Sequence, residues 1–385
     1  MIELTAERGY AALTIRGISR TAGVSTRTLY AHFENVEECF ASTYRWIMRR
    51  AAEQLPDVEV ARAGWEGGVR EWIGTLTASV ASNPHAGRLV LVDAYDGGPA
   101  MLREIETATK DLEQKIAEGP VSPPLSQAIL AGVERVVRTR LLDGREAELP
   151  RLADELTAWV LSVSEMESVP TPRPRPTATD PQLLPPASAR RDSAFAAFDA
   201  IRGDRGRILA AVARLSVANG YWNLTTTDLR REAGVSRRQF DDLFDGIGSC
   251  YAEAGRVLLT AAARMAIDES DESLSWSTRI EQIVNRLCAE VARSPLLARL
   301  GFIDVFTPGS AGLHRRERLL TRSASWLHNS APPGQRPSEL VAEAAIAASW
   351  RLVLAEVAAS EVDPQTEVPA LMTLLISGRK DQRTC

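Results

Sequence analysis

Residues 23–33 read Gly23-Val24-Ser25-Thr26-Arg27-Thr28-Leu29-Tyr30-Ala31-His32-Phe33. Residues 234–244 repeat the frame as Gly234-Val235-Ser236-Arg237-Arg238-Gln239-Phe240-Asp241-Asp242-Leu243-Phe244. In the first stretch Gly23 suits a left-handed residue that ends one helix, and Ser25 is a good N-cap for the next. Leu29 and Phe33, four residues apart, give that second helix an apolar side. Upstream, Thr14 caps an earlier helix whose inner side carries Ile15, Ile18 and Ala22, and Val24 is expected to plug the turn. Helix, tight glycine turn, helix is a layout that leaves the second helix free to enter a major groove.

The repetition extends well beyond this element. An offset of 211 residues places Gly9-Tyr10 on Gly220-Tyr221, Leu13-Thr14 on Leu224-Thr225 and Cys39 on Cys250. The same offset places Trp65 on Trp276, Leu76 on Leu287, Val80 on Val291, Pro84 on Pro295, Asp93 on Asp304 and Gly98 on Gly309. A register held over that length points to duplication of a whole unit rather than of one motif.

Between the copies, residues 168–191 carry prolines 170, 172, 174, 176, 181, 185 and 186, which exclude helix and strand ladders. At ~3.1 Å per residue in polyproline form, this linker spans roughly 60–70 Å. Elsewhere the periodicity is helical: Val69, Trp72, Ile73, Leu76 and Val80 form one stripe, and Ile280, Ile283, Val284, Leu287 and Val291 form its counterpart. Pro84 and Pro295 open segments that are apolar nearly all round, the pattern of buried helices. The fold class is therefore all-α. The boundaries read as a first helix-turn-helix domain over 1–45, a first helical domain over 46–166, a Pro-rich linker over 167–200, a second helix-turn-helix domain over 201–256 and a second helical domain over 257–380.

Composition narrows the function classes. The 385 residues carry a net charge of −5, which gives no global support for nucleic-acid binding, so any such argument must be local. No apolar run is long enough to cross a bilayer, and the first residues have no secretory pattern. Cys39, Cys250, Cys288 and Cys385 are dispersed, which fits a reduced, cytoplasmic setting. His32, His85, His314 and His328 have no metal-ligand spacing. Nucleophile, phosphate-loop and dinucleotide motifs are missing, so the reading is of a chain that is not an enzyme and needs no cofactor.

Residues 9–40, GYAALTIRGISRTAGVSTRTLYAHFENVEECF, resemble the N-terminal DNA-binding domain of TetR-family transcriptional regulators; residues 220–251 are similar but looser. The resemblance implies a regulator, most often a repressor, released by a small ligand. Family members usually act as homodimers of one such unit, so two tandem units imply an intramolecular pseudo-dimer. Its four-helix interface would join 126–142 and 148–162 to 338–358 and 368–377, and further self-association into four heads is left open.

The resemblance places Thr14, Ser25, Thr26, Arg27, Thr28, Tyr30 and His32 at or near double-stranded DNA, with Arg27 the best candidate for a bidentate guanine contact. In the second copy it places Thr225, Ser236, Arg237, Arg238 and Gln239 there. The family's lysine after the recognition helix falls at Val36 and Ile247, so one phosphate contact is missing from each copy. Asp241 and Asp242 replace Tyr30 and Ala31 and would repel a phosphate track, so the alternative reading is a ligand-sensing or protein-interaction module whose second helix-turn-helix no longer binds DNA. Differences between Thr26 and Arg237, and between Thr28 and Gln239, predict an operator with unlike half-sites. By the same offset Met1 meets Val212, so the first leading helix lacks its opening turns; the expectation is a true start upstream or a less stable first domain.

A small apolar effector is expected in the helical domains, with Trp72, Asp93, Tyr95, Phe302, Asp304 and Phe306 as candidate contacts. The competing reading for Asp93 is an ion pair with Arg88. Cys39 and Cys250 read as small buried hydrophobes, and the basic run 314–322 as a solvated helix face.

Overall fold

The computed structural model describes residues 1–54, 64–166, 193–303, 309–358 and 368–377, and every regular element among them is helical. The Pro-rich segment 168–191 lies outside the described residues. The chain divides into two compact units, Met1–Ser168 with Pro337–Ala348, and Val169–Arg336 with Ser349–Cys385.

The first unit opens with α1 (Ile2–Arg8), α2 (Ile15–Ala22), α3 (Thr26–Tyr30) and α4 (Val36–Gln54). Leu4, Leu13, Ile18, Leu29, Cys39, Phe40 and Tyr44 form their core, and the ring of Tyr10 meets Phe40 edge-on at 4.8 Å. That core is continuous with Leu89, Ala94 and Met101 of the helical body, so α4 is both the last helix of the head and the first of the body.

The body consists of α5 (Gly64–Ser82), α6 (Pro84–Leu91), α7 (Gly98–Ala117), α8 (Pro123–Leu142) and α9 (Leu149–Met166). Proline stands in the first turn of α6 and of α8, where its missing N–H costs nothing. Helix α8 is buried on nearly every side, with Leu125, Ile129, Val133, Val136 and Val137 all close to fully covered. Helices α5 and α9 run along one another, and Trp65 Nε1 donates to Ser164 Oγ at 3.2 Å. At Gly132 a Cβ would lie 2.1 Å from the ring of Trp159, so only glycine lets α9 come this close.

The second unit begins with α10 (Ser193–Asp199), which falls inside the stretch read as linker. It packs on α11 (Asp204–Asn219) and α14 (Ile247–Asp268), and Phe198 is buried there. Between them stand α12 (Thr226–Ala233) and α13 (Arg237–Asp241). Helix α11 is sixteen residues long, against seven in α1, and buries Ile208, Leu209 and Val212. The difference shows in the turns: Ala233 is 6% exposed along α11, whereas Ala22 is exposed and Val24 stands 39% exposed. Val24 does not plug its turn.

Helices α15 (Trp276–Arg293), α16 (Pro295–Ala298), α17 (Ser310–Ser330), α18 (Glu339–Ala358) and α19 (Val368–Ser377) follow. The basic run on α17 is a solvated face only in part: Arg318 and Arg322 are exposed, whereas the expectation fails at its other side. Arg316 and Glu317 are buried and paired at 2.8 Å, and Arg315 donates to the carbonyl of Ser249. The cysteines of the described residues, Cys39, Cys250 and Cys288, are buried as thiols.

Candidate nucleic-acid interface and helical chamber

Local chemistry builds the two heads alike. Thr14 Oγ1 accepts from Gly17 N–H at 3.1 Å and Thr225 Oγ1 from Asp228 N–H at 3.1 Å. Ser25 Oγ accepts from Thr28 N–H at 3.0 Å and Ser236 Oγ from Gln239 N–H at 3.2 Å. Each satisfies a helix N–H that has no partner within its own helix. Gly23 (φ 68°) and Gly234 (φ 63°) take the left-handed conformation that stops α2 and α12, costly for a residue with a Cβ. Thr14, Ser25, Thr225 and Ser236 are thus the caps that aim the helices, and the hydroxyl of Thr28 is within 2.8 Å of Ser25 Oγ.

The outward faces differ. On α3, Thr26, Arg27, Thr28 and Tyr30 are exposed, as is His32 just beyond it, while Leu29 anchors the helix from beneath. Arg16 and Arg20, exposed on α2, extend that face; their spacing opposite Ile15 and Ile18 was the signal for them. Arg16, Arg20 and Arg27 have no carboxylate partner among the described residues. Residues 14–35 hold these three arginines against one acid, Glu34.

On α13 the arginines meet acids of their own helix. Arg237 Nε lies 3.4 Å from Asp241 and Arg238 Nε 3.9 Å from Asp242. Nearby, Arg231 pairs with Asp228 at 3.0 Å and Arg214 with Glu232 at 2.7 Å. Gln239 is held at both ends: its Oε1 accepts from Ser236 N–H at 2.8 Å, and its Nε2 donates to Asp204 at 2.7 Å. Residues 225–246 hold Arg230, Arg231, Arg237 and Arg238 against Asp228, Glu232, Asp241, Asp242 and Asp245.

Within the first unit a cavity of about 400 Å³ lies between α4, α5, α6, α7 and α8. Ile47, Met48, Trp72, Leu76, Val90 and Ile105 supply apolar wall, and Tyr95 closes part of it. One corner is polar. Arg138 Nε donates to the carbonyl of Leu91 at 3.0 Å, its guanidinium meets Glu134 at 3.2 Å, and it lies over the Tyr95 ring at 5.9 Å. Burial, with Glu134 nearby, pushes the phenol of Tyr44 far above its ordinary range and keeps it neutral. Of the contacts expected from sequence, Trp72 and Tyr95 line this cavity; Glu134 and Arg138 line it too and were not among them, although their four-residue spacing on an apolar helix was an available signal.

Asp93 is not in the cavity wall; it is buried and lies 3.6 Å from Arg88. The rings of Phe302 and Trp350 meet at 4.4 Å, and the Arg316 guanidinium lies over the Trp350 ring at 5.6 Å. Beside them, the cleft lined by Gly255, Leu319 and Trp350 measures about 20 Å³, the room of a single water. Asp304 and Phe306 lie outside the described residues.

Residues 2–43 match the family described as bacterial regulatory proteins, tetR family. The matched span contains the Thr14 and Ser25 caps, the Gly23 turn and all of α3. The match supports a DNA-binding transcriptional regulator. No helix among the described residues is long and apolar enough to cross a membrane.

Proposed function

We propose that this chain is a tetR-type repressor whose first head supplies most of its grip on double-stranded DNA, and that a small apolar effector in the first unit's cavity releases it. The observation that carries this reading is the contrast between Arg27, with no carboxylate beside it, and Arg237 and Arg238, each within 4 Å of an aspartate. A guanidinium without an internal partner is free to replace a phosphate counterion or to fork onto guanine. One already facing an aspartate brings that acid to the DNA with it.

Release works by population shift through α4. Its Cys39, Phe40 and Tyr44 belong to the core of the head, while Tyr44, Ile47 and Met48 face the cavity. An occupant that prefers one placement of α4 biases the placement of the head. The two repeats act as an intramolecular pseudo-dimer on an operator with unlike half-sites, because Thr26 and Thr28 answer to Arg237 and Gln239.

A second reading is favoured by the paired arginines of α13: the second head docks a protein partner and leaves DNA alone. Selection of bound sequences by the full chain, followed by affinity measurements across salt concentration, decides between these. An asymmetric site, with Arg27→Ala far more damaging than Arg238→Ala, is expected. A symmetric site, or equal losses from both variants, would overturn the proposal.

A further inference from the structure

Within the first unit, residues 337–348 seat against α8 through a charged cluster that the DNA and effector sites do not use. Arg135 is 1% exposed, and its Nε lies 3.7 Å from Glu343. Arg140 Nη1 donates to the other oxygen of Glu343, and Thr139 Oγ1 donates to the first. Arg138, on the same helix, is engaged by Glu134. The buried positions of the segment are apolar and mostly small: Leu340, Ala342, Ala344, Ala345, Ala347 and Ala348. Desolvation pulls Arg135 down to about 10, with Glu343 opposing that fall.

We infer that Glu343 is a pairing determinant: with Arg135, Arg140 and Thr139 it makes the α8 face accept residues 337–348 of this chain and refuse a second copy of α8. An α8-to-α8 contact would set Arg135 and Arg140 against their own copies, with Glu134 already committed to Arg138. Buried guanidiniums without a carboxylate disfavour that contact far more than a mismatch of shape would. An apolar face of the same size would not discriminate. The cluster therefore selects the partner rather than adding stability, since well-packed apolar residues replace buried ion pairs with little loss. The inference rests on the reading of the chain as an intramolecular pseudo-dimer.

The test uses the full chain with Cys385→Ser and cysteines introduced by Glu155→Cys and Ser338→Cys, positions whose native side chains hydrogen-bond at the surface. A short bismaleimide should link them at the mass of one chain. Links at the mass of two chains would overturn the pseudo-dimer reading and this inference together. Adding Glu343→Gln should cut the yield of same-chain links severalfold. Adding Arg135→Leu, Arg140→Leu and Glu343→Leu together should preserve the melting temperature but give links of both masses. If the triple-leucine protein links only within one chain, or if Glu343→Gln links as well as the parent, the inference fails while the pseudo-dimer stands. A triple-leucine protein that does not fold also counts against it.

Discussion

The amide of Gln239 donates to Asp204 at 2.7 Å, across thirty-five residues of chain, while its carbonyl oxygen accepts from the N–H of Ser236. Both ends of the side chain best suited to read adenine are therefore engaged inside the protein. With Asp241 and Asp242 facing Arg237 and Arg238, the second head carries its own counterions. Exposed pairs of this kind are individually weak, about 0.2–1 kcal/mol, so they do not immobilise the arginines; on the proposed reading they would bring negative charge towards the phosphates of any DNA that α13 approached.

Removing that charge should create affinity. The Asp241→Asn, Asp242→Asn protein is expected to bind DNA several-fold more tightly and to show a steeper dependence on salt, since more counterions are released. Fluorescence anisotropy titrations between low and moderate salt read both quantities. Unchanged affinity and slope would mean that α13 does not approach DNA at all.

Arg27→Ala should weaken specific binding by roughly 1–3 kcal/mol and relax base preference at one position of the first half-site. Arg16→Ala and Arg20→Ala should lower affinity more evenly across sequences, as phosphate contacts do. Competition with single-base variants of the selected site separates the two patterns.

Filling the cavity should uncouple the effector. Leu76→Trp places an indole where Ile47, Val90 and Ile105 leave space, and should abolish binding of a neutral apolar fluorophore such as N-phenyl-1-naphthylamine. The parent is expected to bind one equivalent per chain, in the cavity of the first unit. DNA affinity without ligand should change little. Two equivalents bound would place a second site in the other unit.

Two glycines of the first unit should respond in opposite directions. Gly132→Ala drives a methyl into Trp159 and should destabilise by about 1–3 kcal/mol. Gly74, inside α5, has nothing within 4 Å of its would-be Cβ, so Gly74→Ala should stabilise by about 0.5–1 kcal/mol. Urea unfolding of both variants and the parent checks the signs.

Burial raises the thiols of Cys250 and Cys288 to about 12. A folded-state value above the unfolded value of 9.0 means their contribution is intact below pH 9. It is lost progressively as pH climbs from 9 towards 12, where the unfolded chain binds fewer protons. Stability followed from pH 8 to pH 11 should fall, less so in Cys250→Ala. Native protein at pH 8 should leave both thiols unmodified by a thiol reagent.

What was legible in the sequence was what lies within one turn of helix. Thr14, Ser25, Thr225 and Ser236 cap because a hydroxyl reaches an N–H three residues on, and Gly23 and Gly234 stop helices by their own conformational freedom. The all-helical class and the ion pair of Asp93 with Arg88 were likewise local matters. The basic run on α17 was misread on one side because charge reports solvent only by default; Arg316 is buried, with its guanidinium over the ring of Trp350.

The sequence by itself thus determined two helix-turn-helix frames, their caps and the residues they offer. Tertiary structure decided how they differ. It tied Gln239 to Asp204, left Val24 exposed, opened a cavity around Trp72, set Phe302 against Trp350, and brought Glu343 to Arg135 and Arg140. Each of those outcomes depends on side chains tens to hundreds of residues apart. Burial and charge are summed over neighbours in space, and a sequence lists neighbours only along the chain.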